Sequence, residues 1–315
     1  MNSPSAARIL VIKLGALGDF ALAMGPFAAI RRHHGDAKIT LLTIPSLAEL
    51  GEACGYFDEV WSDSRPKLLN IGGWLALARR LKQGNFDRVY DLQTSDRSSF
   101  YYRLMGPPFG QRPQWSGIAR GASHRHDNPR RDFLHTIERQ REQLALAGIA
   151  DVPPPDLSWV RTDITRFALA PPYVLLVAGS APQRPDKRWP ETKFAELAAQ
   201  LLARGIQPVL IGAQAERAVI AAIRRQVPEA RDLGGQTSYF DIVALARGAA
   251  GAVGNDTGPM HLIAATGCRT VSLFSDASDP ALCAPRGPLA AGVTVLRRAK
   301  LADLPVAEVL AAVTR

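Results

Sequence analysis

Short apolar runs alternate along the chain with longer amphipathic ones, the pattern of parallel strands covered by helices. In the first half this pattern predicts strands at residues 8–13, 38–43, 59–61 and 88–92, and helices at 20–33 and 73–82. Residues 107–131 break the rhythm. They are rich in Pro, Gly, Arg and His, with Trp115 embedded, and read as an irregular excursion before helical spacing resumes over 133–147. Proline clusters at 153–155 and 171–172 bracket an expected linker. The alternation then restarts, with strands at 173–177, 208–211, 250–253 and 270–274 and helices at 191–203, 215–226, 239–247 and 261–266. The expected architecture is α/β: two Rossmann-like doubly wound domains, residues 1–160 and 161–315, with an interdomain cleft and a C-terminal helix returning onto the first domain. Ligands of such sheets sit outside the carboxyl ends of the strands, so the loops that follow strands are where chemistry is sought.

At 315 residues the chain is long enough for two ordinary domains, and its 47% hydrophobic content is that of a globular protein. No uncharged apolar run reaches the roughly 18 residues of a membrane span. Residues 14–30 are rich in Ala, Leu and Gly like a signal peptide, but Asp19 interrupts them and Lys13 adjoins them, which argues against export. Cys54, Cys268 and Cys283 are odd in number and far apart, which argues against a disulfide framework and for a cytoplasmic setting. With 38 Lys and Arg against 29 Asp and Glu, the formal charge of +9 suggests an anionic partner: nucleotide, phosphorylated glycan, membrane headgroup or nucleic acid. Nucleic acid is disfavoured. Aromatics are only 7% and are not interleaved with a basic stripe.

Three loops after strands carry candidate chemistry. Gly254-Asn255-Asp256-Thr257-Gly258-Pro259-Met260-His261 reads as a strand breaking into a helix start, with Asp256 and Thr257 as N-cap residues and Pro259 in the first turn. Gly254 and Gly258 are expected to take unusual dihedrals and admit a phosphate to the helix N-terminus, with His261 on the ligand side. A plain capped strand-turn-helix joint is the alternative. In Leu14-Gly15-Ala16-Leu17-Gly18-Asp19 the spacing fits neither the dinucleotide fingerprint nor the nucleoside-triphosphatase loop. An acidic residue there suits acceptance of a hydroxyl proton better than a pyrophosphate; a helix cap is the competing role for Asp19. Val177-Ala178-Gly179-Ser180-Ala181-Pro182, followed by Asp186-Lys187-Arg188-Trp189-Pro190, offers a glycine-rich strand exit with two adjacent cations, a cradle for a diphosphate unless those charges merely face water.

With these residues in view the chain resembles the heptosyltransferase family, glycosyltransferase family 9, whose members build the inner core of bacterial lipopolysaccharide. The resemblance spans nearly the whole length. It rests on Lys13 to Asp19, on Asp91-Leu92-Gln93 with Arg97-Ser98, on His135 with Arg139, on Lys187-Arg188-Trp189-Pro190 and on Asp256-Thr257-Gly258 with His261. It implies a GT-B fold, with the nucleotide-sugar donor on the C-terminal domain and an anionic glycolipid acceptor on the N-terminal one. It also implies an inverting transfer without metal or cofactor, and the absence of any Asp-x-Asp pair agrees with that. The roles implied are Asp19 as base and Lys187 as the cation on the leaving phosphate. Gly179, Ser180, Arg188, Asp256, Thr257, Gly258 and His261 would hold the donor, and Gly15, Gly18, Arg97, Arg120 and His135 the acceptor. Peripheral contact with the inner membrane face follows from such an acceptor. Ser275-Asp276-Ala277-Ser278-Asp279-Pro280 departs from the family pattern, which usually has a glycine after this strand; the two carboxylates read as solvated loop charges. An inactive nucleotide-sugar-binding protein of the same fold and a nucleotide-sugar epimerase are the competing classes.

Overall fold

The computed structural model describes residues 6–107, 111–180, 183–288 and 292–315. The chain divides into two compact units, Met1–Pro153 and Pro154–Arg315, so the division falls within the first proline cluster. Unit one contains β1 (Arg8–Ile12), α1 (Leu17–Leu22), α2 (Met24–His33), β2 (Lys38–Thr43), α3 (Pro45–Ala53), β3 (Glu59–Ser62), α4 (Ile71–Gln83), β4 (Arg88–Asp91), α5 (Asp96–Leu104), β5 (Gln114–Gly117), β6 (His124–Arg125) and α6 (Thr136–Leu146). Unit two contains β7 (Tyr173–Val177), α7 (Glu191–Leu202), β8 (Gln207–Leu210), α8 (Arg217–Gln226), β9 (Arg231–Asp232), α9 (Tyr239–Gly248), β10 (Gly251–Asn255), α10 (Gly258–Ala265), β11 (Thr270–Phe274), α11 (Pro280–Cys283), β12 (Val293–Arg297) and α12 (Val306–Thr314).

Each unit is built on a six-stranded sheet, in order β3-β2-β1-β4-β5-β6 and β12-β11-β10-β7-β8-β9, and every pairing is parallel. The two orders are the same when each unit's strands are counted from its own first strand. This is the doubly wound topology, whose strand order reverses between the first and fourth strands and opens a crevice there. The reversal lies between β1 and β4 in unit one and between β7 and β10 in unit two. Central strands buried on both faces are nearly continuous apolar runs: β1 carries Ile9 to Ile12 and β7 carries Tyr173 to Val177, all buried.

Several expectations change. The single helix of 20–33 is broken at Ala23 into α1 and α2; Pro26 has no amide to offer the carbonyl of Leu22, so the bond that would carry one helix across the break cannot form. The excursion at 107–131 contributes β5 and β6 to the sheet, and Trp115 is fully buried in the unit-one core with Leu10, Val89 and Tyr101. Val306, Val309, Leu310 and Val313 of α12 are buried in the unit-two core with Phe194, Leu197 and Val253. Gly254 and Gly258 do not take left-handed dihedrals. Gly254 is glycine because a Cβ there would lie 2.5 Å from Met260 Sδ and 2.7 Å from Val177 Cβ.

Candidate active site

In unit one the crevice between β1 and β4 opens into a cavity of about 300 Å³, lined among others by Lys13, Asp19, Thr94, Arg131, Arg139 and Gln140. Its floor is set by the ends of the two strands. The Lys13 ammonium, from the exit of β1, donates to Leu92 O beyond β4 at 3.2 Å, and the Leu14 amide donates to Gln93 Oε1 at 2.8 Å. Gly15, with φ +115°, then turns the chain in a region that side chains disfavour, leading into α1. Asp19 stands in the first turn of α1, whose N-cap is Ala16, so its carboxylate is not a cap. It is partly exposed at the cavity wall and has no hydrogen-bond partner among the described residues.

The electrostatics around Asp19 are cationic. Burial pulls the Lys13 pKa down, while the carboxylates of Asp19 and Asp91 oppose that fall. Asp91, fully buried at the end of β4, is pushed up to about 6 by burial, although the amides of Thr94 and Gln93 and the Ser98 side chain favour its ionised form. Arg131 donates to Thr94 Oγ1 at 2.6 Å and to Asp132 Oδ1 at 2.9 Å, and Arg139 donates to Thr136 Oγ1 at 2.9 Å. Burial and the neighbouring Arg139 lower the Arg131 pKa. The buried Arg131 Nε and both amide atoms of Gln140 have no protein partner among the described residues. Buried polar groups normally find partners, so these are open valences suited to a polar, anionic ligand.

In unit two the crevice between β7 and β10 gathers the other two loops. Lys187 Nζ lies 2.5 Å from Asp256 Oδ2, which also accepts from Ser278 Oγ at 2.7 Å. Asp256 is thus an ion-pair partner rather than a cap, and Thr257 takes the N-cap position of α10 without capping through its side chain. Ser180 Oγ donates to Arg184 O at 3.3 Å and accepts from Arg188 Nε at 3.0 Å, and Arg188 also reaches Ser180 O. Arg188 lines a cavity of about 420 Å³ with Asp186, Ser275, Ala277 and Lys300. His261 is buried in the first half of α10. Asp276 pairs with Arg297 at 3.0 Å and Asp279 caps α11, so neither is simply solvated. Ala181 and Pro182 lie outside the described residues.

The fold thus brings Asp19 to one cavity, and Lys187, Arg188, Ser180 and Asp256 to the loops of one crevice. Three expected acceptor residues do not line the unit-one cavity. His135 is buried and caps α6, its Nδ1 accepting from the Ile137 amide at 3.2 Å. Arg120 is exposed between β5 and β6. Arg97 stacks over Trp74, 5.1 Å from the ring centre, and donates to Pro66 O, on a separate surface. Sequence reasoning did not single out Gln140, Asn255 or Glu216. Asn255, fully buried, donates to Ala178 O at 2.8 Å and accepts from the Trp189 amide at 2.9 Å, tying β7, β10 and the Lys187 segment together. Glu216 places its carboxylate against Gly179, where a Cβ would lie 1.9 Å from Oε1. An Asn ending an apolar strand was the one available signal for Asn255.

Two doubly wound units of this topology are those of the GT-B fold. The family model for glycosyltransferase family 9 (heptosyltransferase) matches residues 74–308, and the chain belongs to that family. It is 27% identical over 303 residues to lipopolysaccharide heptosyltransferase 2 of Escherichia coli K12, covering 86% of this chain and 83% of that one. The structure of E. coli ADP-heptose lps heptosyltransferase II superposes with a TM-score of 0.77 at 23% identity, covering 97% of both chains. That of E. coli heptosyltransferase WaaC with ADP-2-deoxy-2-fluoro heptose superposes with a TM-score of 0.73 at 20% identity, covering 96% of this chain and 97% of that one. The protein is therefore a heptosyltransferase-like glycosyltransferase.

Proposed function

We propose that the chain transfers heptose from ADP-heptose to an anionic, lipid-linked acceptor of the lipopolysaccharide core, with inversion at the anomeric carbon and without metal. The observation that carries this reading is the Asp19 carboxylate, without a hydrogen-bond partner among the described residues, on a cavity also lined by Lys13, Arg131, Arg139, Asp132 and the open amide of Gln140. A base that shares its cavity with two arginines suits a hydroxyl on a molecule that is itself negatively charged. The relative crystallised with a fluoro analogue of ADP-heptose supports the donor assignment.

In this mechanism Asp19 takes the proton of the acceptor hydroxyl, and that oxygen attacks the anomeric carbon from the face opposite ADP. The carbon–oxygen bond to ADP breaks and its electron pair leaves with the diphosphate. Lys187 neutralises that developing charge. An ammonium has three protons, so Lys187 can stay on Asp256 Oδ2 while donating to phosphate; Asp256 Oδ1 is left to accept from a sugar hydroxyl. Gly179, Ser180 and Arg188 receive the nucleotide, with Thr257, Gly258 and His261 at the start of α10 beside it. Gly15 and Gly18 shape the turn that presents Asp19. His135 acts on the acceptor through the placement of Thr136, and Arg120 meets the acceptor's outer charges.

The test is transfer from ADP-heptose to a Kdo-bearing lipid A acceptor, followed by mass spectrometry with and without EDTA. Asp19→Asn is expected to lower kcat by roughly 10²–10⁴-fold, the usual worth of a general base, with ADP binding unchanged and EDTA without effect. Wild-type turnover by the Asn variant overturns the assignment of Asp19.

A further inference from the structure

Apart from its own crevice, unit one exposes an apolar surface that nothing in the transfer mechanism uses. Leu68 is 88% exposed, Leu69 95%, Ile71 71% and Leu75 51%. Leu68, Ile71 and Leu75 line an open groove of about 600 Å³ with Trp74 and Phe100, and Leu69 stands next to Leu68 in the chain. A contiguous exposed apolar patch marks an interaction surface, whereas a single exposed leucine does not.

The segment carrying these residues is held firmly from beneath. Buried Asp63 accepts from the Arg65 amide at 2.7 Å and from the Tyr101 hydroxyl at 2.5 Å. Trp74 Nε1 donates to Lys67 O at 3.1 Å, Arg97 donates to Pro66 O at 3.2 Å, and Asn70 caps α4 by accepting from the Gly73 amide at 2.8 Å. Leu77 and Leu81 of α4 face the core, while Ile71 and Leu75 face outward. The leucines are therefore displayed by a braced loop and the first turns of a helix.

Charge identifies the occupant. Between residues 64 and 83 the chain carries Arg65, Lys67, Arg79, Arg80 and Lys82 and not one Asp or Glu, and all five cations are exposed. An apolar protrusion with five exposed cations on its own segment, set against Asp96 as the carboxylate lining the groove, fits the interface of an anionic bilayer, where leucines enter the acyl boundary and the cations meet headgroup phosphates. We infer that Leu68, Leu69, Ile71 and Leu75, with Arg65 and Lys67, form a docking surface for an anionic phospholipid membrane. Arg97, expected at the acceptor site, also braces this surface through Pro66 O and the Trp74 ring. The inference rests on the lipid-linked acceptor proposed above only for the expectation of membrane contact, and the surface is tested without donor or acceptor, so it stands or falls separately from the sugar-transfer reading.

The experiment is flotation of the full chain with vesicles of phosphatidylethanolamine and phosphatidylglycerol, against vesicles of phosphatidylcholine, at two salt concentrations. Binding is expected to the anionic vesicles and to weaken with salt. Leu68→Asp with Leu69→Asp is expected to reduce the bound fraction at least tenfold, with Tm and ADP affinity unchanged because both side chains are exposed. Arg65→Gln with Lys67→Gln is expected to abolish the preference for anionic lipid. Equal flotation of the Asp double variant and wild type overturns the inference, as does a wild type that fails to float. A vesicle-independent dimer that sediments in wild type and is lost in the Asp double variant overturns it too, because the patch would then face a second copy of the chain.

Discussion

Gly179 offers a quantitative test of how the donor loop is built, because its side-chain space is already occupied. A methyl at Gly179 would lie 1.9 Å from Glu216 Oε1 and 2.1 Å from Cδ, while Glu216 Oε2 accepts the Ala213 amide at 2.6 Å. The obstacle is the end of a flexible side chain, so Glu216 can swing away. The expense of Gly179→Ala is therefore the lost cap on the turn before α8, about 0.5–2 kcal/mol, plus about 0.5–1.5 kcal/mol if Glu216 is left off-rotamer. Glu216→Ala alone removes the same cap and should cost about 1 kcal/mol. In the Glu216→Ala background the three nearest obstacles, Glu216 Oε1, Cδ and Cγ, are gone, so the double variant should be about as stable as Glu216→Ala, a coupling of about 1 kcal/mol or more. Urea denaturation of the four proteins measures it. Additive costs would refute the steric account. Calorimetry with ADP separates structure from function: if the diphosphate approaches the backbone at Gly179, the double variant keeps stability but not affinity.

Three further outcomes follow from the same geometry. Asp91 titrates near 6 in the folded chain against about 3.9 when unfolded, so the folded state holds its proton longer and stability falls as pH rises through that window. Asp91→Asn, whose side-chain oxygen can still accept from the Gln93 and Thr94 amides, should remove that fall, by at most about 3 kcal/mol; parallel urea midpoints for the two proteins from pH 4 to 7 would rule it out. Lys187→Met leaves the Asp256 carboxylate, only 8% exposed, with Ser278 as its remaining partner, and should cost about 2–4 kcal/mol. Adding Asp256→Asn should recover most of that stability, while calorimetry shows ADP affinity still reduced at least tenfold. Gly254→Ala must move Val177, whose carbonyl oxygen would lie 3.0 Å from the new Cβ, and should cost about 1–3 kcal/mol by chemical denaturation; an unchanged midpoint would mean that the strands spread freely there.

What could be read from the chain, and what could not, divides along a physical line. Strands β1 and β7 are legible because burial on both faces makes them nearly continuous apolar runs, and β2 and β11 because β-branched and apolar residues dominate them, with only Lys, Thr or Ser between. β5 and β6 are not legible: Gln114–Gly117 and His124–Arg125 carry one large apolar side chain between them. They become strands only because β4 presents an unpaired edge to Val89's neighbour Trp115, which then fills the core. The polarity that made 107–131 look irregular belongs to an edge, where sheet faces are half solvated.

The site divides the same way. Asp19, Lys187 and Asp256 could be found one at a time, because each follows a strand and each is a residue type whose charge the chemistry needs. Gln140, Asn255 and Glu216 could not, since their meaning is relational. Asn255 matters only because β10 lies beside β7, which brings it to the Trp189 amide 66 residues earlier in the chain. Lys13 reaches Leu92 O across 79 residues for the corresponding reason in unit one, the adjacency of β1 and β4. Both contacts cross the point where strand order reverses, and no local pattern encodes which strands will be neighbours there. The residues that perform chemistry are therefore visible as composition in a loop, whereas those that hold them in place become visible only with the sheet order. Substitutions at Asn255 and Asp91 should accordingly disturb stability and positioning together, while Asp19→Asn should leave the fold intact and remove the base.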